Sequence, residues 1–291
     1  MSVSVAASRV CPSCGVEVPD DALFCPNDGS RVSAEAVDPY LGRELPGAIQ
    51  LRALAGVGAM GRVYRAYQQG VERDVAVKIL HRELSANPQI VGRFHREAKV
   101  ASRLQHPNVV HVHLTGQLPT GEMYIAMEYL DGLSLQATLA ACGVLPLARA
   151  LHIMLQLCDA VGEAHSLGVV HRDIKPENIM LVRRGADDDF VKVLDFGIAR
   201  FNWGQQTMAT AAGLIFGTAR YMSPEAAQGA VAGPPADVYA MATLLYQMLA
   251  GRTPFDGNHA VSVLVQQIHD VPPDLRTLLL ASPVPAPIAE V

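Results

Sequence analysis

The run His171-Arg172-Asp173-Ile174-Lys175-Pro176-Glu177-Asn178 concentrates side chains that can do chemistry. Asp173 can accept a proton, Lys175 carries a positive charge, and Asn178 offers an oxygen to a hard metal ion. The later run Asp195-Phe196-Gly197 adds a carboxylate. A proton acceptor, a cation and two oxygen ligands form the set that transfer of a phosphoryl group requires.

A glycine-rich run precedes these residues, Gly56-Val57-Gly58-Ala59-Met60-Gly61-Arg62-Val63. Glycines let backbone amides approach phosphate oxygens without obstruction by a Cβ atom, and Val63 can rest on a flat base. A dinucleotide-binding turn has the same glycine spacing, but it needs a helix directly after it. The residues after Gly61 instead alternate like a second strand, which argues against that interpretation.

Lys78 lies in the apolar strand predicted for residues 75–80. A buried ammonium group is costly unless it is paired, so Lys78 needs anionic partners. The best candidate is Glu97, in the stretch 91–104, where apolar residues recur at helical spacing. On periodicity alone Glu97 would be a solvated helix charge. Its position between Lys78 and the run His106-Pro107-Asn108 resembles that of the lysine-pairing glutamate in protein kinases, and this resemblance favours the pair.

In order and spacing, these motifs resemble those of protein kinases, and Lys175 resembles the mark of the serine/threonine-specific members. The resemblance, to the bacterial type, begins at about Ile49 and extends to the C-terminus. It implies an α+β fold of two lobes. A β-rich small lobe at residues 49–130 would hold the nucleotide, and a helical large lobe at residues 131–291 would do the chemistry.

The resemblance also implies a role for each catalytic residue. Asp173 would orient the attacking hydroxyl, and Lys175 would face the transferring phosphate. Asn178 and Asp195 would hold Mg²⁺, with Mn²⁺ as an alternative. The implied nucleotide is ATP, with Lys78 on its α- and β-phosphates and in the pair with Glu97. The residues expected to bind ATP are Gly56, Val57, Gly58, Ala59, Gly61, Val63, Ala76, Lys78, Met127, Glu128, Leu130 and Met180.

An activation segment is expected at residues 195–225. Arg172 offers a fork for a phosphate group, so phosphorylation within the segment could order it. Thr207 and Thr210 are the expected acceptors, and autophosphorylation between two copies of the kinase is an option. By resemblance, Thr218 contacts the catalytic loop, which is the run 171–178, and the incoming hydroxyl side chain.

Asp237 stands at the start of the apolar run 238–250, which is too short to cross a membrane and predicts a buried helix. In the resembling family the matching aspartate binds backbone of the catalytic loop. That family also pairs the glutamate that corresponds to Glu225 with a later arginine, and no arginine stands at the expected place. Either another cation takes the place of this arginine or the large lobe is truncated. We expect a fragment of a longer protein, in which a membrane anchor could follow.

The N-terminal region contains two short knuckles that resemble a zinc ribbon, and we assign residues 10–32 to it. Residues 1–9 would be a tail, and residues 33–48 a linker. A Cys-x-x-Cys turn lets two thiolates converge on one tetrahedral ion, and a carboxylate can complete the set. An alternative is a degenerate ribbon that has lost its metal. The expected zinc ligands are Cys11, Cys14, Cys25 and Asp28.

Composition limits the remaining functions. The formal net charge of -5 gives no general attraction to nucleic acid. The N-terminus lacks a secretory signal, which predicts a cytoplasmic protein. Cysteines in that compartment favour metal binding or core packing over disulfides. Cys158, within the apolar-periodic stretch 151–164, is expected to be a small core residue.

The leading prediction is an ATP- and Mg²⁺-dependent serine/threonine protein kinase that acts on proteins. A catalytically inactive scaffold that binds nucleotide through the same fold is the alternative, although Lys78, Asp173, Asn178 and Asp195 are all present. A third option gives the main task to the zinc ribbon as an adaptor. The ribbon has few aromatic residues and little excess of positive charge, so it supports that option poorly.

Overall fold

The computed structural model describes residues 8–10, 16–19, 38–58, 60–87, 91–92, 94, 104–196 and 219–277. A β-rich lobe is followed by a mostly helical lobe, as predicted. No helix in these ranges has the length and apolar character needed to span a membrane.

Near the N-terminus, β1 (Ser8–Val10) and β2 (Glu17–Pro19) pair with each other. The first lobe is a six-stranded antiparallel sheet in the order β3-β4-β5-β6-β8-β7. Its strands are β3 (Glu44–Leu45), β4 (Ile49–Gly58), β5 (Gly61–Gln68), β6 (Arg73–Leu80), β7 (Val112–Gln117) and β8 (Met123–Glu128). The glycine-rich run thus forms the tip of the β4–β5 hairpin, as its alternating pattern predicts.

Each face of this sheet has its own apolar cluster, because successive side chains of a strand point to opposite faces. The outer cluster contains Tyr64, Val77 and Tyr124. The inner cluster contains Leu80, Met127 and other residues near the cleft.

Residues 38–48, within the predicted linker, pack against the outer face. Tyr40 contacts the outer cluster and Leu45 belongs to it, while the Leu51 N–H donates to the Arg43 carbonyl at 3.0 Å. This part of the chain therefore belongs structurally to the first lobe.

The second lobe combines helices with a small sheet. A short helix, α1 (Arg82–Ser85), follows β6 in the first lobe. The described helices of the second lobe are α2 (Leu135–Cys142), α3 (Leu147–Ser166), α4 (Pro224–Ala227), α5 (Pro234–Ala250) and α6 (Ala260–His269). The sheet consists of β9 (Gly132–Ser134), β10 (Ile179–Arg184) and β11 (Asp187–Val193), with β10 in the centre.

Helices α3 and α5 form the centre of the second lobe. Ile153, Leu157 and Ala164 of α3 are fully buried, and Leu244 of α5 joins them in one cluster. The expectation for Cys158 is wrong, because its side chain is exposed. It lies just beyond the buried stripe, and periodicity alone does not fix where such a stripe ends.

Candidate active site

Asp237 of α5 anchors the catalytic loop through hydrogen bonds. Its Oδ2 atom accepts the His171 backbone N–H at 2.8 Å, and its Oδ1 atom accepts that of Arg172 at 2.7 Å. The His165 ring adds a third contact, with Nε2 at 2.8 Å from Oδ2. The side chain of Asp237 is 1% exposed, and these donors replace the water that burial removes. The backbone role expected of Asp237 is confirmed.

His171 joins the catalytic loop to the segment that carries Asp195. Its Nδ1 accepts the Asp173 backbone N–H at 3.2 Å, so the ring hydrogen lies on Nε2. That Nε2–H donates to the Leu194 carbonyl at 2.9 Å. The ring also packs edge-on against Phe196, with ring centroids 4.7 Å apart. The residues on either side of Asp195 are therefore held by one imidazole ring.

Asp173 is oriented by its neighbours in the loop. Lys175 Nζ lies 2.9 Å from Asp173 Oδ2. Asn178 Nδ2 donates to the Asp173 backbone carbonyl at 2.7 Å and to Oδ2 at 2.9 Å. Because both amide hydrogens of Asn178 are used, its Oδ1 is the atom left to face a metal ion.

Asp195 lies beside Asn178 and contacts Lys78. The Leu194 N–H donates to the Asn178 carbonyl at 2.8 Å, and Lys78 Nζ is 2.5 Å from Asp195 Oδ2. Burial by itself raises the pKa of Asp195, but the Lys78 ammonium outweighs it, so the pKa lies below its ordinary value. Asp195 is therefore held as a carboxylate, the form that ligates hard cations.

Two residues of this site have left-handed backbone conformations. Arg172 has φ 65° and Asp195 has φ 54°. Such angles are unfavourable for residues with a Cβ atom and tend to occur at functional sites. The hydrogen bonds to Asp237 and from His171 are the contacts that hold this backbone in place.

The glycine hairpin has space for a ligand. A Cβ atom on Gly61 would lie 2.0 Å from the Ile79 carbonyl oxygen, so close strand packing requires this glycine. A Cβ on Gly56 would meet no atom within 4 Å, and one on Gly58 would only reach the Gly61 carbonyl at 3.9 Å. Neither has a positive φ. Packing within the described chain thus does not require glycine at these two positions, whereas close approach of phosphate oxygens would.

Three of the residues expected around the base share one cluster. Met127 is buried in the inner cluster, and Ala76 and Leu130 pack against it. Val63 pairs in register with Lys78 across β5 and β6. Met180 lies half-buried on β10.

The ion pair between Lys192 and Glu128, near the residues expected around the base, was not predicted from the sequence. Lys192 Nζ is 2.6 Å from Glu128 Oε1 and 3.3 Å from the Val109 carbonyl oxygen. Glu128 Oε1 also accepts the His111 backbone N–H at 2.8 Å. The side chain of Glu128 is thereby fixed by β11 of the other lobe.

The segment before α4 rests on α6. Gln267, 4% exposed, donates its side-chain N–H groups to the carbonyls of Ala219 and Arg220 at 2.8 and 3.0 Å. The Tyr221 hydroxyl donates to Gln247 Oε1 at 2.5 Å. These contacts place the segment beside the cleft that Arg172, Asp173 and Met222 line.

Several expected site residues lie outside the described ranges. Glu97 is one of them, so the Lys78–Glu97 pair stays a prediction. Within the described part, no cluster of three or more histidine, cysteine or acidic residues is arranged to hold a metal ion. The other expected site residues outside the described ranges are Ala59, Cys11, Cys14, Cys25, Asp28, Thr207, Thr210 and Thr218.

Three residues that contribute to the site were not predicted from the motifs: His171, His165 and Lys192. His171 stands inside the catalytic run, next to Arg172, and its position was a usable signal. His165 and Lys192 lack such a signal, because their partners are distant in sequence.

Comparisons with known proteins agree with this geometry. A family model described as protein kinase domain matches residues 49–283. Serine/threonine-protein kinase pkn3 of Myxococcus xanthus is 41% identical over 238 residues, which cover 81% of this chain and 44% of that protein. PknB of Mycobacterium tuberculosis is 39% identical over 232 residues, or 78% of this chain and 36% of that protein. The chain thus spans less than half the length of these relatives.

Solved structures show the same architecture. The kinase domain of Mycobacterium tuberculosis PknI superposes with a TM-score of 0.62 at 30% sequence identity. The match covers 82% of this chain and 83% of that chain. The predicted two-lobed kinase fold is confirmed.

Proposed function

Because the chain belongs to the protein kinase family, we propose that it transfers the γ-phosphoryl group of ATP to serine and threonine hydroxyls of proteins. The observation that carries this proposal is the meeting of Lys78 and Asp195 at 2.5 Å beside the linked set Asp173, Lys175 and Asn178. Relatives named serine/threonine-protein kinase support the choice of acceptor.

Each residue has a task in that reaction. Asp173, oriented by Asn178, accepts the hydrogen bond of the substrate hydroxyl and takes its proton as the new oxygen–phosphorus bond forms. The bond between the γ-phosphorus and the β,γ-bridging oxygen breaks in the same transfer, and ADP is the leaving group. Lys78 has three donors, so it can hold Asp195 and phosphate oxygens together. Lys175 stabilises negative charge on the phosphoryl oxygens.

The donor set fits a magnesium cofactor. Asn178 Oδ1 and the Asp195 carboxylate are hard oxygen ligands on adjoining segments. Bound Mg²⁺ would neutralise charge on the phosphates. The glycine hairpin would cover the phosphates with backbone N–H groups, and the cluster at Ala76, Met127 and Leu130 would surround the base.

The test is phosphate transfer by the purified chain. With Mg²⁺ and labelled ATP, we expect phosphate on the protein itself or on a generic protein substrate. Asp173→Asn should lower the rate at least about 100-fold, because the proton acceptor is lost, and EDTA should abolish transfer. Nucleotide binding with no transfer by the unaltered chain would identify an inactive scaffold and refute the proposal.

Autophosphorylation is the second part of the proposal. We infer that Thr207 or Thr210 accepts phosphate from a second copy of the kinase, and that Arg172 then binds it. Arg172 is exposed, with Nε 3.2 Å from the Ala232 carbonyl oxygen. Mass spectrometry should find phosphate on these threonines after incubation with ATP, and the double alanine variant should lose activity. Full activity of that variant would contradict this inference.

A structural zinc ion is the third part. The antiparallel pairing of Val10 with Glu17 brings together the described residues on either side of the segment with Cys11 and Cys14, which supports the proposal. We propose that Cys11, Cys14, Cys25 and Asp28 hold one Zn²⁺, and that the protein is cytoplasmic. Metal analysis should find about one equivalent of zinc, and less than about half an equivalent would argue against the site.

A further inference from the structure

Asp38 lies before the region that matches the kinase family, which begins at residue 49, yet it contacts the central strand of the nucleotide lobe. Its Oδ2 atom is 3.0 Å from Arg62 Nη1. The Tyr64 hydroxyl lies 2.9 Å from both carboxylate oxygens. Oδ1 also accepts the Tyr40 backbone N–H at 3.0 Å. One carboxylate therefore ties three points of the lobe together.

The two β5 contacts lie directly behind the residues expected to face the nucleotide. Arg62 follows Gly61, and its register partners are Val57 of the glycine hairpin and Ile79. Arg62 and Tyr64 share one face of β5, so Val63 between them points to the opposite face. A displacement of β5 at Arg62 or Tyr64 would therefore move the phosphate-covering turn and the base contact together.

The surroundings of Asp38 make its contacts with β5 strong. Its side chain is 11% exposed, and Tyr64 is 0% exposed. Burial, together with the hydrogen bond to Asp38, raises the pKa of Tyr64, so its hydroxyl keeps the proton that it donates. Without Asp38, the buried Tyr64 hydroxyl and the partly exposed Arg62 guanidinium would both lose their acceptor, and β5 would lose the contacts that hold it from the outer face.

We propose that Asp38 is a positioning residue for the nucleotide, which acts by fixing β5 and the glycine hairpin from the outer face of the sheet. This inference rests on the proposed kinase activity. A hairpin held in place before binding loses less freedom when the nucleotide arrives, which raises affinity without touching the reacting atoms.

The experiment compares steady-state kinetics of the whole chain. We expect Asp38→Ala to raise KM for ATP at least about threefold, with kcat and KM for the protein substrate within about twofold, because only pre-organisation is lost. Asp38→Asn, which keeps one acceptor oxygen, should fall between Asp38→Ala and the unaltered chain. Asp188→Ala removes an exposed aspartate that pairs with Arg183 at 3.2 Å, and it should leave every constant unchanged.

A double-mutant cycle adds a stricter condition. Arg62→Gln should raise KM for ATP by itself, and its combination with Asp38→Ala should cost less than the sum of the two, because both act through one contact. This variant also keeps the test valid if Asp38→Ala does not fold. An unchanged KM for ATP in both single variants, or a loss confined to kcat, would overturn the inference. Inactivity of the unaltered chain would instead refute the proposed function.

Discussion

Lys78 and Asp195 are 117 positions apart in sequence and meet at 2.5 Å between the two lobes. Their side chains are only 13% and 16% exposed. Lys78→Met leaves a largely buried carboxylate without its cation, so we expect the pKa of Asp195 to rise and the free energy of unfolding to fall by about 1 to 3 kcal/mol. Urea unfolding at pH 7 measures this loss.

The double variant Lys78→Met with Asp195→Asn provides the control for charge. It removes the uncompensated carboxylate, so it should be more stable than Lys78→Met alone, although both variants should lack phosphoryl transfer. Equal stability of the two would show that the ion pair does not govern the ionisation of Asp195.

Asp237→Ala should uncouple the catalytic loop from α5. The backbone N–H groups of His171 and Arg172 would lose their acceptor inside the protein, at a cost of about 3 kcal/mol in unfolding free energy. We expect kcat to fall more than about tenfold, because Asp173 loses its fixed position. Asp237→Asn keeps one carbonyl acceptor, so it should recover part of the unfolding free energy and part of kcat. Thermal unfolding and steady-state kinetics measure the two.

Gln267→Leu should weaken binding of the protein substrate. The variant keeps the side-chain volume but removes the donors to the carbonyls of Ala219 and Arg220, so the segment beside the cleft can shift. KM for a peptide substrate should rise about threefold or more, with KM for ATP unchanged. Gln266→Leu on the same helix, whose amide contacts the Asp256 carbonyl at 3.1 Å, is the matched control. A rise of equal size in both variants would contradict the prediction.

His113 should make the fold sensitive to mild acid. Burial, with Arg73 and His111 nearby, lowers its pKa from 6.5 to about 4, and Glu128 offsets only part of this. The unfolded chain therefore takes up a proton first, so stability is complete above pH 6.5 and falls as the pH drops towards about 4. His113 is partly solvated, which reduces the loss to about 1 kcal/mol.

The comparison for this prediction uses urea unfolding at pH 7 and pH 5. His113→Gln should lose less stability between these values than the unaltered chain. His269→Gln, an exposed histidine at the end of α6, should behave like the unaltered chain. Identical pH dependence of all three proteins would refute the assignment.

Local patterns predicted much of the fold. Alternation after Gly61 predicted β5, the apolar run around Lys78 predicted β6, and the run 238–250 predicted most of α5. The support of the catalytic loop by Asp237 followed from the family resemblance. For the three elements β5, β6 and α5 the signal lies within a few neighbouring residues.

Other contacts between distant segments escaped prediction. Asp38 and Arg62 are 24 positions apart, and Glu128 and Lys192 are 64 apart. A charged residue in a sequence shows that it needs a partner or water but not which of the two it has. The positive φ of Asp195 is likewise imposed by tertiary contacts and has no local sequence signal.

Strand β8 ends at Glu128 and β9 begins at Gly132, so only Tyr129, Leu130 and Asp131 join the two sheets along the chain. Because β9 pairs with β10, which directly follows the catalytic loop, rotation of one lobe against the other must be absorbed by the torsion angles of this short bridge. For the proposed kinase activity, a stiffer bridge would limit how wide the cleft opens and so slow the release of ADP after each transfer.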